Sequence, residues 1–231
     1  ALRIHGFLMA NPAAVLEHHG HTPTTTGLDH KKVAIWAFIG SECMLFASLI
    51  STYLIYKGRS VVGPFPHEIC SPPVCDTIMK PVLNIPVTSA STFVLLMSSL
   101  AMVLALSAVE SADQPRTTLS EKILGNSKLW LFTTALLGTT FLGFQAYEFT
   151  SFVHEGLTIR TNLFGSSFFT VTGFHDAHVT AGVLWLLTLL AIDFKRGLKP
   201  KDAVIVDIAA LYWHFVDVIW VAIFTLVYLI H

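Results

Sequence analysis

The sequence predicts an all-α fold, a polytopic membrane bundle of five transmembrane helices. Three observations carry that prediction: a composition too apolar for a water-soluble domain, five apolar runs of membrane-spanning length, and an imbalance of Lys and Arg among the connecting loops. Of 231 residues, 53% are hydrophobic and only 13% charged, with a mean hydropathy of +0.65. Soluble domains carry about 25% charged residues, and this chain lacks the polar surface needed to cover a core of its size in water. The net charge of −1 provides no basic field for nucleic acid.

The first thirty residues are polar and His-rich, without the basic start, apolar core and small-residue cleavage site of a secretory signal. Residues 1–32 read as a polar cytoplasmic tail, and 33–231 as the membrane domain. The tail histidines, His5, His18, His19, His21 and His30, are the side chains of a flexible polar segment rather than a metal site. The five runs are approximately Val33–Tyr56, Val82–Val109, Leu129–Phe152, Ser166–Ile192 and Val204–Ile230. Each is long enough to cross about 30 Å of hydrocarbon at about 1.5 Å per residue. The second contains no charged residue. Gly and Pro fall mostly between the runs and mark the loops. Neither a repeat nor a low-complexity segment divides the chain.

Lys and Arg orient the bundle. Arg3, Lys31 and Lys32 precede the first run; Arg116, Lys122 and Lys128 lie between the second and third; Lys195, Arg196, Lys199 and Lys201 lie between the fourth and fifth. These ten face four on the other side, Lys57, Arg59, Lys80 and Arg160. The expected topology has the N-terminus in the cytoplasm and the C-terminus outside. The first loop is then extracytoplasmic, where disulfides persist, and the stiff Ser71-Pro72-Pro73-Val74 turn separates Cys70 from Cys75. A disulfide and two unpaired thiols both fit; a metal site has only His67 as a nearby third ligand. Cys43, inside the first run, reads as a small core residue.

Ionisable groups inside the runs are costly, by about 2.5–3.5 kcal/mol each on insertion scales, and therefore face a partner or a function. Glu42 lies about 14 Å into the first run, His175 and His178 at comparable depth in the fourth, and His214 and Asp217 in the fifth. His175 and His178 share a helical face, as do His214 and Asp217. Asp176 adds an acid between the two histidines. Together these residues suggest an intramembrane polar network. Glu148, late in its run, is expected near the outer interface. Three readings fit the network: hydrogen-bonded ties between helices, a proton or ion relay, and a metal or haem site. The His-x-x-His spacing is a weak metal signal, and no Cys-x-x-Cys-His haem-attachment motif is present. Tyr212, Trp213, Trp220 and Phe224 read as packing and lipid-facing aromatics. Gly138-Thr139-Thr140 and Thr180-Ala181-Gly182 read as points of close helix approach.

Four blocks carry a family resemblance. They are Trp36 to Phe46 around Ser41-Glu42; Gly143-Phe144-Gln145-Ala146-Tyr147-Glu148-Phe149; Gly165-Ser166-Ser167-Phe168-Phe169 leading into Gly173-Phe174-His175-Asp176-Ala177-His178-Val179; and Tyr212-Trp213-His214-Phe215-Val216-Asp217-Val218-Ile219-Trp220. Over roughly Asp29 to His231 the chain resembles subunit III of the haem–copper respiratory oxidases, in the five-helix bacterial form. Asp176-Ala177 departs from the Gly-Leu of many members. The His-rich tail and the Cys70–Cys75 loop lie outside the shared pattern.

The resemblance implies an accessory core subunit of a proton-pumping terminal oxidase in the bacterial plasma membrane, reducing O₂ to water in aerobic electron transport. It implies no catalytic residue, cofactor or metal on this chain; haem and copper belong to partner subunits I and II. Subunit I is the packing partner, small or supercomplex subunits are further candidates, and phospholipid is the expected bound ligand. It also implies that the subunit sustains proton uptake and protects the active site from inactivation during turnover. Glu42 matches the family's intramembrane carboxylate, and the weight of the network moves from chemistry to helix ties and lipid organisation. Cytochrome c is the expected electron donor, with quinol the alternative. A stand-alone proton or ion transporter using Glu42, His175 and Asp217 is the competing class, against which stands the lack of an inverted repeat or broken helix pair.

Overall fold

The computed structural model describes residues 29–57, 59, 83–115 and 117–230. The Cys70–Cys75 pair, His67, Lys80, Arg116 and the tail before Asp29 lie outside these residues. Five helices are long and apolar enough to cross a membrane. They are α1 (His30–Tyr56), α2 (Ile85–Glu110), α4 (Ser127–His154), α5 (Leu163–Arg196) and α6 (Ala203–Ile223), the last entered through a 3₁₀ turn at Pro200–Asp202 and continued by a π-helical turn, Phe224–Leu229. The described residues contain no strand. A sixth, short helix, α3 (Leu119–Leu124), lies in the segment expected to be loop. Six residues are too few to display a helical apolar period, and α3 buries none of its side chains.

Short polar side chains start the long helices. Asp29, Asn84, Asn126 and Asn162 each accept a hydrogen bond from a backbone N–H in the first turn of α1, α2, α4 and α5, meeting donors that the helix itself leaves open. Pro86 stands in the first turn of α2, where its missing N–H costs nothing. α5 stops at Gly197, whose φ of +72° an L side chain would resist. At about 1.5 Å per residue, its 34 residues make it longer than the roughly 30 Å hydrocarbon core is thick.

The helices α2, α4, α5 and α6 form the body of the bundle, and α1 packs against α5 and α6. Without water to drive apolar faces together, association depends on close packing and interhelical hydrogen bonds. The indole of Trp213 supplies both. A Cβ built at Gly138 of α4 would lie 2.6 Å from this ring, and one at Gly182 of α5 would lie 2.8 Å from it. The two glycines thus form the walls of its slot. Its Nε1–H donates to Ser98 Oγ of α2 at 2.9 Å. Two turns along α6, Trp220 repeats the bond to Thr92 Oγ1 at 2.9 Å. Trp213, Trp220 and Tyr212 are all buried, so this part of the aromatic set packs inside the bundle.

Further bonds tie the two ends. At one, Lys32 of α1 pairs with Asp207 of α6 at 2.6 Å, and buried Asp193 of α5 accepts from Ser127 Oγ of α4 at 2.6 Å and Leu198 N at 2.9 Å. At the other, Lys57 Nζ donates to the carbonyls of Leu226 and Ile230, and burial pushes its ammonium below the usual lysine range. Cys43 corrects the sequence reading: it is exposed. Helix α1 contacts the bundle along one side only, burying Ile35, Phe46 and Tyr53, and Cys43 lies off that stripe.

Candidate functional site: buried polar groups between the helices

The polar residues singled out in the sequence fall into three groups, with His175 apart from all of them. The first joins α1 to α5. His178 Nε2 lies 3.1 Å from Glu42 Oε2, and both side chains are largely enclosed. The other ring nitrogen, Nδ1, sits 2.7 Å from the carbonyl of Phe174, one turn back along α5. A carbonyl only accepts, so Nδ1 carries a proton; Nε2 and Oε2 then share a further proton between them. Tyr212 of α6 donates to the carbonyl of His178 at 3.0 Å, bringing a third helix to this point.

His175 is only three residues away yet faces elsewhere. It is fully buried and stacks on Trp220 at 4.9 Å, with Phe141 edge-on at 6.0 Å. Neither ring nitrogen has a hydrogen-bond partner among the described residues. Depth along α5 places the two histidines near one height, and the Phe46 ring of α1 lies 6.4 Å from His175 and 5.1 Å from His178; only His178 meets Glu42, while Phe141 of α4 and Trp220 of α6 pack on His175.

The second group joins α2 to α6, where Ser99 Oγ lies 2.5 Å from His214 Nδ1. Asp217, one turn further and 4% exposed, faces Ser99 as well, but neither of its oxygens completes a hydrogen bond among the described residues. The third group contains Glu148 and Asp176. Glu148 is six residues from the end of α4, and its side chain points inward and is 2% exposed. It accepts a hydrogen bond from the Thr88 hydroxyl of α2. Asp176 of α5 faces Gln145 and Glu148.

Sequence reasoning missed Ser98, Thr92, Thr88, Gln145, Asp193, Tyr53 and Tyr228. Part of the signal was available, because Thr88, Ser91, Thr92 and Ser98 recur at helical spacing on the buried face of α2. Among the described residues, no group of three or more His, Cys, Asp or Glu is placed to hold a metal ion. The polar contacts observed here are hydrogen bonds, most of them between helices of a membrane-spanning bundle.

Comparison with known proteins agrees with that class. The family model of cytochrome c oxidase subunit III matches residues 9–231. The chain is 40% identical over 200 residues to cytochrome c oxidase subunit 3 of Bacillus sp. (strain PS3), covering 87% of this chain and 86% of the relative. It is 37% identical over 201 residues to the Bacillus subtilis protein of the same name, covering 87% and 86%. Quinol oxidase subunit 3 of Bacillus subtilis is 32% identical over 221 residues, covering 93% of this chain and 97% of the relative. The chain belongs to the cytochrome c oxidase subunit III family and is a multi-pass membrane protein.

Proposed function

We propose that this chain is the non-redox core subunit of a proton-pumping terminal oxidase in the bacterial plasma membrane. It packs on the subunit that carries haem and copper, binds phospholipid, and sustains proton uptake during turnover. The observation that carries this reading is the family match over residues 9–231. The arrangement of the polar groups supports it: the Glu42–His178, Ser99–His214 and Thr88–Glu148 contacts each join two helices of this chain, as a structural role requires. The excess of Lys and Arg in the loops supports a cytoplasmic N-terminus and an external C-terminus. A reporter fused after Ile230 then reads as extracytoplasmic, and a cytoplasmic reading overturns the orientation.

Cytochrome c as donor follows from the 40%-identical relative. Quinol is the second reading, favoured by the broader 93% coverage of the quinol oxidase relative; assays with each donor on the isolated complex distinguish them. The role itself is tested by depleting this chain from the assembled oxidase. The initial rate of oxygen consumption stays near that of the intact complex, and activity then decays faster with turnover. Immediate loss of most activity in a correctly metallated enzyme contradicts the proposal.

A further inference from the structure

A cleft of about 350 Å³ opens between the start of α2 and the last turns of α4, lined in part by Asn84, Ser151 and Glu155, with Glu148 in its wall. At about 30 Å³ per molecule it has room for roughly ten waters. Glu148 is enclosed on its other side, and one carboxyl oxygen, Oε2, has no hydrogen-bond partner among the described residues. One turn deeper on α4, Gln145 is 2% exposed. It lies against Asp176, yet among the described residues neither atom of its amide, nor Asp176 Oδ1, completes a well-formed hydrogen bond. The π-helical turn carries Tyr228, fully enclosed, whose hydroxyl lies near Thr88, Glu148, Asp176 and Tyr53 and completes no hydrogen bond among the described residues. The hydroxyl of Tyr53, on α1, is also unpaired.

We propose that the cleft and the polar chamber behind it form a blind, water-filled inlet ending on the carboxyl pair Glu148 and Asp176, which binds an exchangeable proton. Four elements bring unpaired or acidic groups to one place, and such groups are rarely left bare in a protein interior. The orphans are of both kinds, donors in Gln145 Nε2 and the two phenols, acceptors in Gln145 Oε1 and the carboxyl oxygens. An oxygen-ligated metal ion meets only the acceptors, whereas water meets both. The charged or titratable groups facing the pair are Tyr228, Tyr53 and, at the mouth, Glu155. His175, the chain neighbour of Asp176, turns to Trp220 and Phe141 instead. Among the described residues no cationic side chain faces the pair, and two ionised carboxylates together at this depth are unfavourable; a proton delivered through the inlet relieves that. The inlet follows from the geometry of this chain alone. With the orientation proposed above, it opens to the extracytoplasmic side.

Two measurements on the full chain, in the membrane complex with which it is isolated, test the inlet. In pH-difference infrared spectra, a protonated-carboxyl C=O band is present in the native protein, lost in Glu148→Gln or Asp176→Asn, and shifted promptly on exchange into D₂O. Ser151→Trp, which plugs the cleft, retains the band and slows its deuterium shift several-fold. A band unchanged in both carboxyl variants, or one that exchanges equally fast with the cleft plugged, overturns the proposal. Hydroxyl-radical footprinting needs no substitution. Tyr228, although enclosed, is oxidised several-fold faster than Trp213, which is equally enclosed in a dry slot. A Tyr228 as inert as Trp213 means a dry chamber and also overturns it.

Discussion

At the scale of single residues, one atom changes the packing at the glycine slot. Gly138→Ala or Gly182→Ala places a methyl group at 2.6–2.8 Å from the Trp213 ring, which three helices hold in place. Overpacking of this kind costs about 1–3 kcal/mol, read as a lower midpoint in unfolding by mixed detergent. Ser98→Ala leaves the Trp213 N–H without its acceptor and costs about 0.6–1.7 kcal/mol, the range of hydrogen bonds between membrane helices. Glu42→Ala and His214→Ala each remove one tie between helices. Both loosen this subunit's hold on the complex, seen as its earlier loss during detergent washing, while the initial oxygen consumption of the intact assembly is nearly unchanged. The sequence showed the depth of Glu42, His178, His175, His214 and Asp217, because depth follows from the constant rise of a helix. It did not show which of them meet. That depends on rotation about each helix axis, which the neighbours decide, so His175 and His178 part company over three residues.

Individual elements differ in how openly the sequence announces them. The five spans follow from apolar length alone, and their ends moved by only a few residues, because Asp29, Asn84, Asn126, Asn162 and Gly197 set the limits through local hydrogen bonds and φ rather than through hydropathy. Helix α3 was invisible to the apolar period. It is defined instead by Glu121, whose carboxylate accepts from the N–H groups of Thr117 at 2.8 Å and Thr118 at 3.0 Å. The Thr118 bond first, then those to Thr117, holds this carboxyl below the usual glutamate range. A depressed carboxyl adds stability above its unfolded value, and that contribution fades as pH falls through the folded one. Helix α3 therefore frays on acidification from below about pH 4.5, and Glu121→Gln removes much of that dependence; hydrogen exchange at the α3 amides measures both. The π-helical turn at Phe224–Leu229 had no sequence signal, yet it carries Tyr228 into the chamber beside Glu148.

The whole molecule is a bundle whose polar interior faces its own helices. Its apolar exterior includes Trp36, Met44, Phe93, Leu100 and Leu184, a surface suited to lipid and to other membrane-embedded chains. The family was legible from four blocks because their unusual residues, Glu42, Glu148, His175, His178, His214 and Asp217, occur in fixed order on separate helices. Asp176 was the residue without a partner in that pattern, and folding places it against Gln145 and Glu148. The central claim is that this chain supports chemistry performed by another subunit. Affinity isolation of the tagged full chain from its native membranes, with optical spectra of the eluate, tests it most directly. The account predicts a stable complex with haem bands from partner subunits and oxygen consumption in the presence of an electron donor. Recovery of this chain alone, free of haem-bearing partners and conducting protons in liposomes until Glu42→Gln stops the flux, would contradict it.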